Sequence, residues 1–137
     1  GASWISCSGT VMSKLEESPF KGKTGVSRLI HAFGYSLDGL KAALRYEDAF
    51  RQLVLLALVL IPLAFIIHAQ PLARALLVAS SLATLIIELL NSAIEAAVDH
   101  TSLERHPLAK RAKDMGSAAQ LLGLINLVAV WSLVLLG

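Results

Sequence analysis

The sequence predicts an all-α integral membrane protein, with three membrane-crossing helices preceded by an amphipathic helix lying along the membrane surface. Three observations carry this. Of 137 residues, 55% are hydrophobic and 16% charged, with a mean hydropathy of +0.66; soluble domains average about 25% charged. The apolar excess gathers in three runs, 53–69, 72–98 and 118–136. A helix needs about 20 residues to cross the hydrocarbon core, so each run is of that order. What remains is too short for a separate soluble core, which argues against a secreted globular protein, a nucleic-acid reader and a multidomain enzyme.

The first part of the chain carries little structural signal. Residues 1–11 (GASWISCSGTV) precede Met12 and read as a leader outside the fold. Residues 12–25 are polar, with Pro19, Gly22 and Gly25, and read as a flexible N-terminus. Gly22-Lys23-Thr24 resembles the end of a phosphate-binding loop, but Glu17 occupies the place of its first glycine and no strand precedes it. That motif is rejected. The lone Cys7 excludes an intramolecular disulfide and argues against a Cys/His zinc site.

Residues 26–137 read as a single membrane domain. From 26 to 46, Leu29, Ile30, Phe33, Leu37, Leu40 and Leu44 recur at helical spacing, with Arg28, His31, Asp38, Lys41 and Arg45 between them. This pattern suits a helix at the headgroup level, its bases toward anionic lipid. The first span is expected over about 50–68, kinked at Pro62, with Gln70-Pro71 making the turn. The second is expected over 72–99, where Ala75, Ala79 and Ala83 allow close helix approach. The third is expected over 107–136, with Pro107 in its first turn and Gly116, Ser117, Ala118 and Ala119 as a run of small residues.

Charge placement sets the orientation. The first turn holds a single base, Arg74, whereas Arg105, Lys110, Arg111 and Lys113 crowd the second connection and seven bases from Lys14 to Arg51 precede the first apolar run. The positive-inside rule then places the N-terminus and second connection in the cytoplasm and the C-terminus outside.

The unusual feature is a polar stripe in the second span. At ~100° per residue, Ser81, Thr84, Glu88, Asn91, Glu95 and Asp99 fall within about 80° of arc. Counting from Leu72 at ~1.5 Å per residue, Glu88 lies ~24 Å along the helix and Glu95 ~35 Å. A core of ~30 Å puts Glu88 just inside one boundary and Glu95 among headgroups. Acids at such depth face a protein interior or a wet cavity and mark function by default. The plainer alternatives are that Glu88 and Asn91 only join helices by hydrogen bonds, and that Asp99 ends the helix in water. Likewise Lys113 either pairs with a phosphate or anchors the span, and His106 is either a ligand or an ordinary loop histidine. Intramembrane acids also mark ion or proton relays, but this stripe gathers at one end instead of crossing the bilayer. A purely structural adaptor is the remaining class.

Four segments together carry a resemblance: Gly34-Tyr35-Ser36; Glu47-Asp48-Ala49-Phe50-Arg51-Gln52; the stretch Glu88-Leu89-Leu90-Asn91-Ser92-Ala93-Ile94-Glu95 continuing to Asp99; and Arg111-Ala112-Lys113-Asp114-Met115-Gly116-Ser117. From about Arg28 to Trp131 the chain resembles the bacterial diacylglycerol kinases, small trimeric membrane enzymes. Leu53 and Leu37 depart from the pattern, standing where some members carry an acid and an aromatic residue.

The resemblance implies a homotrimer with active sites shared between subunits. It implies transfer of the γ-phosphoryl group of ATP to the primary hydroxyl of 1,2-diacylglycerol, giving phosphatidic acid, with Mg²⁺ as cofactor, in the bacterial inner membrane. It also implies roles by position: Glu88 as general base, and Glu47 and Glu95 as metal-holding carboxylates. Arg28, Tyr35, Glu104, His106, Lys113 and Asp114 join those two carboxylates as nucleotide contacts. Arg28, Arg51, Gln52, Asn91, Ser117 and Trp131 correspond, with Glu88, to the lipid site. Undecaprenol kinases share the scaffold and are the alternative; Met115-Gly116-Ser117 favours the diacylglycerol group.

Overall fold

A computed structural model of the protein describes residues 25–101 and 106–137. The leader and flexible segment expected over 1–25 fall almost wholly outside the described residues, as does Glu104. Every regular element among the described residues is a helix: α1 (Gly25–Tyr46), α2 (Asp48–Ile66), α3 (Pro71–Thr101) and α4 (Pro107–Leu136). The chain divides into two compact units, the first ending at Gly39 and the second covering Leu40–Gly137. The described part of the first unit is the N-terminal portion of α1, and its apolar residues Leu29, Ile30 and Phe33 are exposed.

The second unit holds the membrane helices. All three remaining helices are long and apolar enough to cross a bilayer. Expected boundaries fall within two residues of those found, and the third span is matched end for end. Pro62 lies inside α2, which continues past it to Ile66; the missing N–H deprives the carbonyl four residues earlier of its helical donor.

The helix ends are closed by arginine and proline chemistry. Helix α2 starts two residues after α1 ends, and Arg51 in its first turns donates Nη1 to the carbonyls of Leu44 (2.9 Å) and Arg45 (2.8 Å) while pairing with Asp48. At the other end of α2, Arg74 of α3 reaches back. Its guanidinium donates to the carbonyls of Ala64 (3.0 Å), Ile67 (3.3 Å) and Ala69 (3.2 Å). Carbonyls at a helix end lack partners within the helix, and a planar guanidinium serves several at once. The base that orientation arguments count as a charge is thus also a cap. Pro107 opens α4 as expected, with His106 as the capping residue.

Helix α3 is the hub, packing against both α2 and α4. The apolar core gathers Ala64, Leu77, Leu127 and Trp131, flanked by Leu60, Ile67, Val78, Val130 and Val134. The expected alanine contact stripe is not what packs here: Ala75 and Ala79 are exposed and Ala83 half-buried. The buried face of α3 is Leu77, Ser80, Ser81, Thr84, Glu88 and Ser92 instead. An acid cannot face hydrocarbon unpaired, so the face that carries Glu88 turns inward, its hydroxyls paired within the helix. Ser80 and Ser81 donate to the Leu77 carbonyl (3.0 and 2.8 Å) and Thr84 to that of Ser81 (2.7 Å). Conversely, Leu55, Leu58, Val59, Phe65, Leu122 and Val128 are exposed, an apolar surface too extensive for water and suited to lipid.

Candidate active site

The polar stripe faces α4. Glu88 is 6% exposed, so the acid that sequence depth places at the membrane edge is enclosed by protein, not by acyl chains. An enclosed carboxylate requires a donor, and Gln120 of α4 supplies it: Nε2 lies 2.8 Å from Glu88 Oε2 and 3.1 Å from the Thr84 carbonyl. One turn further, Asn91 packs against Gly116, which is buried. A Cβ added at 116 would overlap Asn91 Oδ1 and lie 3.4 Å from its Cγ. Glycine is what lets the two helices close at this level. Asn91 Nδ2 then points to Glu95 Oε1 at 3.5 Å, a long contact. At the open end Lys113 Nζ meets Asp99 Oδ1 at 3.0 Å.

The stripe is therefore one side of an antiparallel seam. Glu88 pairs with Gln120, Asn91 with Gly116 and Asp99 with Lys113, descending α3 as α4 ascends. Exposure rises along the seam: Glu88 is buried, Glu95 half-buried and Asp99 exposed. The seam opens where α3 has run further than a bilayer core is thick. Lys113 and Asp99 keep 42% and 64% of their side-chain surface. Such a pair contributes little to stability, which leaves both groups available to a ligand.

Of the residues singled out from sequence, Glu88, Asn91, Glu95, Asp99 and Lys113 are brought together. Asp114 is exposed and paired with Lys110 at 2.6 Å, four residues back on α4. His106 caps α4, its Nδ1 accepting the N–H of Leu108 at 3.1 Å. Glu47 is half-buried at the start of α2 with no side-chain capping bond. Arg51 is engaged with carbonyls as described, and Gln52 and Ser117 are exposed. Arg28 and Tyr35 lie on α1.

Trp131 lies at the far end of this seam from Lys113. It is buried in the apolar core, its Nε1 donating to Ser81 Oγ at 3.4 Å, and eleven residues of α4 separate it from Gln120, roughly 16 Å along the axis.

Gln120 is the residue that sequence reasoning passed over. It reads as an isolated polar group in an apolar run, but a signal was present. Gly116, Gln120, Gly123, Leu127 and Trp131 recur at spacings of four, three, four and four, which marks one helix face, and four of the five are buried.

The seam combines a buried acid, a carboxylamide and progressively wetter charges, which suits a reaction between a lipid headgroup and a charged soluble molecule. Comparison with known proteins agrees. A profile of the prokaryotic diacylglycerol kinase family matches residues 34–135. The chain belongs to that family. It is 58% identical over 123 residues to the diacylglycerol kinase of Pseudomonas aeruginosa, covering 90% of this chain and 100% of that protein. The Helicobacter pylori diacylglycerol kinase is 51% identical over 120 residues, covering 88% and 93% respectively. That of Escherichia coli K12 is 46% identical over 112 residues, covering 82% and 92%. The chain is accordingly a kinase of a prokaryotic membrane family, a membership that implies ATP and a divalent metal ion. Among the described residues no three His, Cys, Asp or Glu side chains converge to hold a metal.

Proposed function

We propose that the protein phosphorylates the primary hydroxyl of 1,2-diacylglycerol with ATP, giving phosphatidic acid for phospholipid recycling. The observation that carries this reading is Glu88, a buried acid ~24 Å along a membrane helix, enclosed by α4 at the depth where a lipid hydroxyl arrives laterally. Glu88 accepts the hydroxyl proton as the lipid oxygen bonds to the γ-phosphorus. The bond from that phosphorus to the β–γ bridging oxygen breaks, and ADP departs with the electron pair. Such transfers depend mainly on positioning and on neutralising phosphate charge.

The nucleotide lies at the wetter end of the seam, with Lys113 toward its phosphates and Arg28, Tyr35, Glu104, His106 and Asp114 as further contacts. Arg28, Arg51, Gln52, Asn91, Ser117 and Trp131 are assigned to the lipid side. Mg²⁺ suits the donor set. Such an ion is commonly held by one or two carboxylates together with phosphates and water, and Glu47 and Glu95 would hold it here. When bound, the ion neutralises charge on the transferred phosphoryl group.

The working unit in this reading is a homotrimer with shared active sites in the bacterial inner membrane, its N-terminus and second connection cytoplasmic and its C-terminus outside. Helix α1 lies along the cytoplasmic surface. Exposed apolar side chains such as Leu55 and Val128 are available to lipid and to neighbouring copies.

The test is a panel assay of purified protein with Mg-ATP and lipid alcohols in mixed micelles. Diacylglycerol is expected to be the preferred acceptor, and Glu88→Gln to abolish phosphatidate formation while the protein remains folded. A strong preference for undecaprenol overturns the substrate assignment, and near-normal turnover by Glu88→Gln overturns the role of the base.

A further inference from the structure

Gln120 does more than fill the seam. Its amide nitrogen carries two hydrogens, and its two neighbours, Glu88 Oε2 at 2.8 Å and the Thr84 carbonyl at 3.1 Å, both accept. The amide orientation is thereby fixed. Thr84 lies one turn before Glu88 on α3, so a single side chain of α4 ties the carboxylate to the main chain of its own helix. Helix α4 comes this near at a glycine. A Cβ added at 123 would lie 2.7 Å from Ile87 Cδ1 and 3.1 Å from Gln120 Oε1, both too tight for an unshifted neighbour.

The other end of the amide excludes a packing role alone. Gln120 Oε1 is buried and has no donor among the described residues. A buried acceptor without a partner is costly, and an apolar side chain of similar length would occupy the place without that cost. The group that justifies an amide here is its N–H, directed at Glu88.

We propose that Gln120 is a positioning residue for phosphoryl transfer. It holds Oε2 of Glu88 so that Oε1 is the oxygen presented to the lipid hydroxyl. This rests on the reading of Glu88 as the base. Gln120 touches neither lipid nor nucleotide in this account and acts through the carboxylate.

The test compares Gln120→Leu, Gln120→Met and Glu88→Gln with the unaltered protein. The measurements are kcat, KM for diacylglycerol, KM for Mg-ATP and thermal inactivation in the same micelles. Both position-120 variants are expected to lower kcat about 10- to 100-fold, the range for losing a hydrogen bond to a charged group, with KM for Mg-ATP unchanged. Methionine retains the unbranched shape, so it serves where leucine impairs folding. Unchanged kcat in both, with Glu88→Gln inactive, overturns the role of Gln120 and leaves that of Glu88 standing. Near-normal turnover by Glu88→Gln overturns the base and this inference with it. A kcat that returns to normal once corrected for folded protein assigns Gln120 to packing and overturns the inference.

Discussion

Replacing Gly116 by alanine separates stability from activity in this protein. The added methyl would overlap Asn91 Oδ1, while Asn91 Cα would sit at 3.8 Å, an ordinary contact. The backbones therefore tolerate the methyl, and only the Asn91 amide must swing away. Three terms set the outcome. Alanine in place of glycine in a helix interior stabilises by about 0.8–1 kcal/mol. Forcing the amide off its preferred rotamer costs about 0.5–1.5 kcal/mol. Losing the long contact to Glu95 costs at most about 1 kcal/mol. The net change lies between about 0.5 kcal/mol of stabilisation and about 1.7 kcal/mol of destabilisation, while the Asn91–Glu95 link at the proposed nucleotide end is broken.

The expected result is near-normal thermal inactivation with kcat/KM for Mg-ATP lowered about tenfold, equivalent to ~1.4 kcal/mol of transition-state stabilisation. Asn91→Ala supplies the control, since it removes the overlapped atoms. In that background Gly116→Ala should stabilise by about 0.8–1 kcal/mol, the helix propensity alone. Equal effects of Gly116→Ala with and without Asn91 would refute the contact. A loss above about 3 kcal/mol in the single variant would show the collision reaching the backbone, contrary to the geometry described.

Two further outcomes follow from the opposite end of the bundle. Arg74→Met removes three hydrogen bonds to the carbonyls that end α2; thermal inactivation should accelerate by an equivalent of about 1–3 kcal/mol. Its kcat should be unchanged, because fourteen residues, roughly 21 Å of α3, separate it from Glu88. Trp131→Phe forfeits the 3.4 Å bond to Ser81 and part of the indole's packing in the core, and should cost about 1–3 kcal/mol, whereas Trp131→Ala empties the core and should cost about 3–5 kcal/mol in the same measurement.

The fold class and helix limits were legible in the sequence because a bilayer imposes one strong, local rule. Every backbone group must be paired within its own segment, so a long apolar run of the observed length can only be a helix, and Pro71 and Pro107 mark where two of them begin. The acidic stripe was legible for the same reason, since its angular grouping depends only on helical periodicity. Which surface the stripe faces was not. Alanines at spacing four suggested a contact face that the single chain leaves largely exposed, because Glu88 finds its donor only across the seam, on Gln120, and that outweighs the close approach that alanines permit.

By itself, then, the sequence determined the number of helices long and apolar enough to cross a membrane, the helix face that carries the acids and the family to which the chain belongs. Only the tertiary structure decided that Glu88 is met by Gln120, that Gly116 and Gly123 admit the neighbouring helix, and that Trp131 belongs to the core. The physical reason is register. Periodicity within a helix is dictated residue by residue, whereas the sliding of one helix along another is fixed by where glycines let backbones close and where buried polar atoms find partners thirty or more positions away.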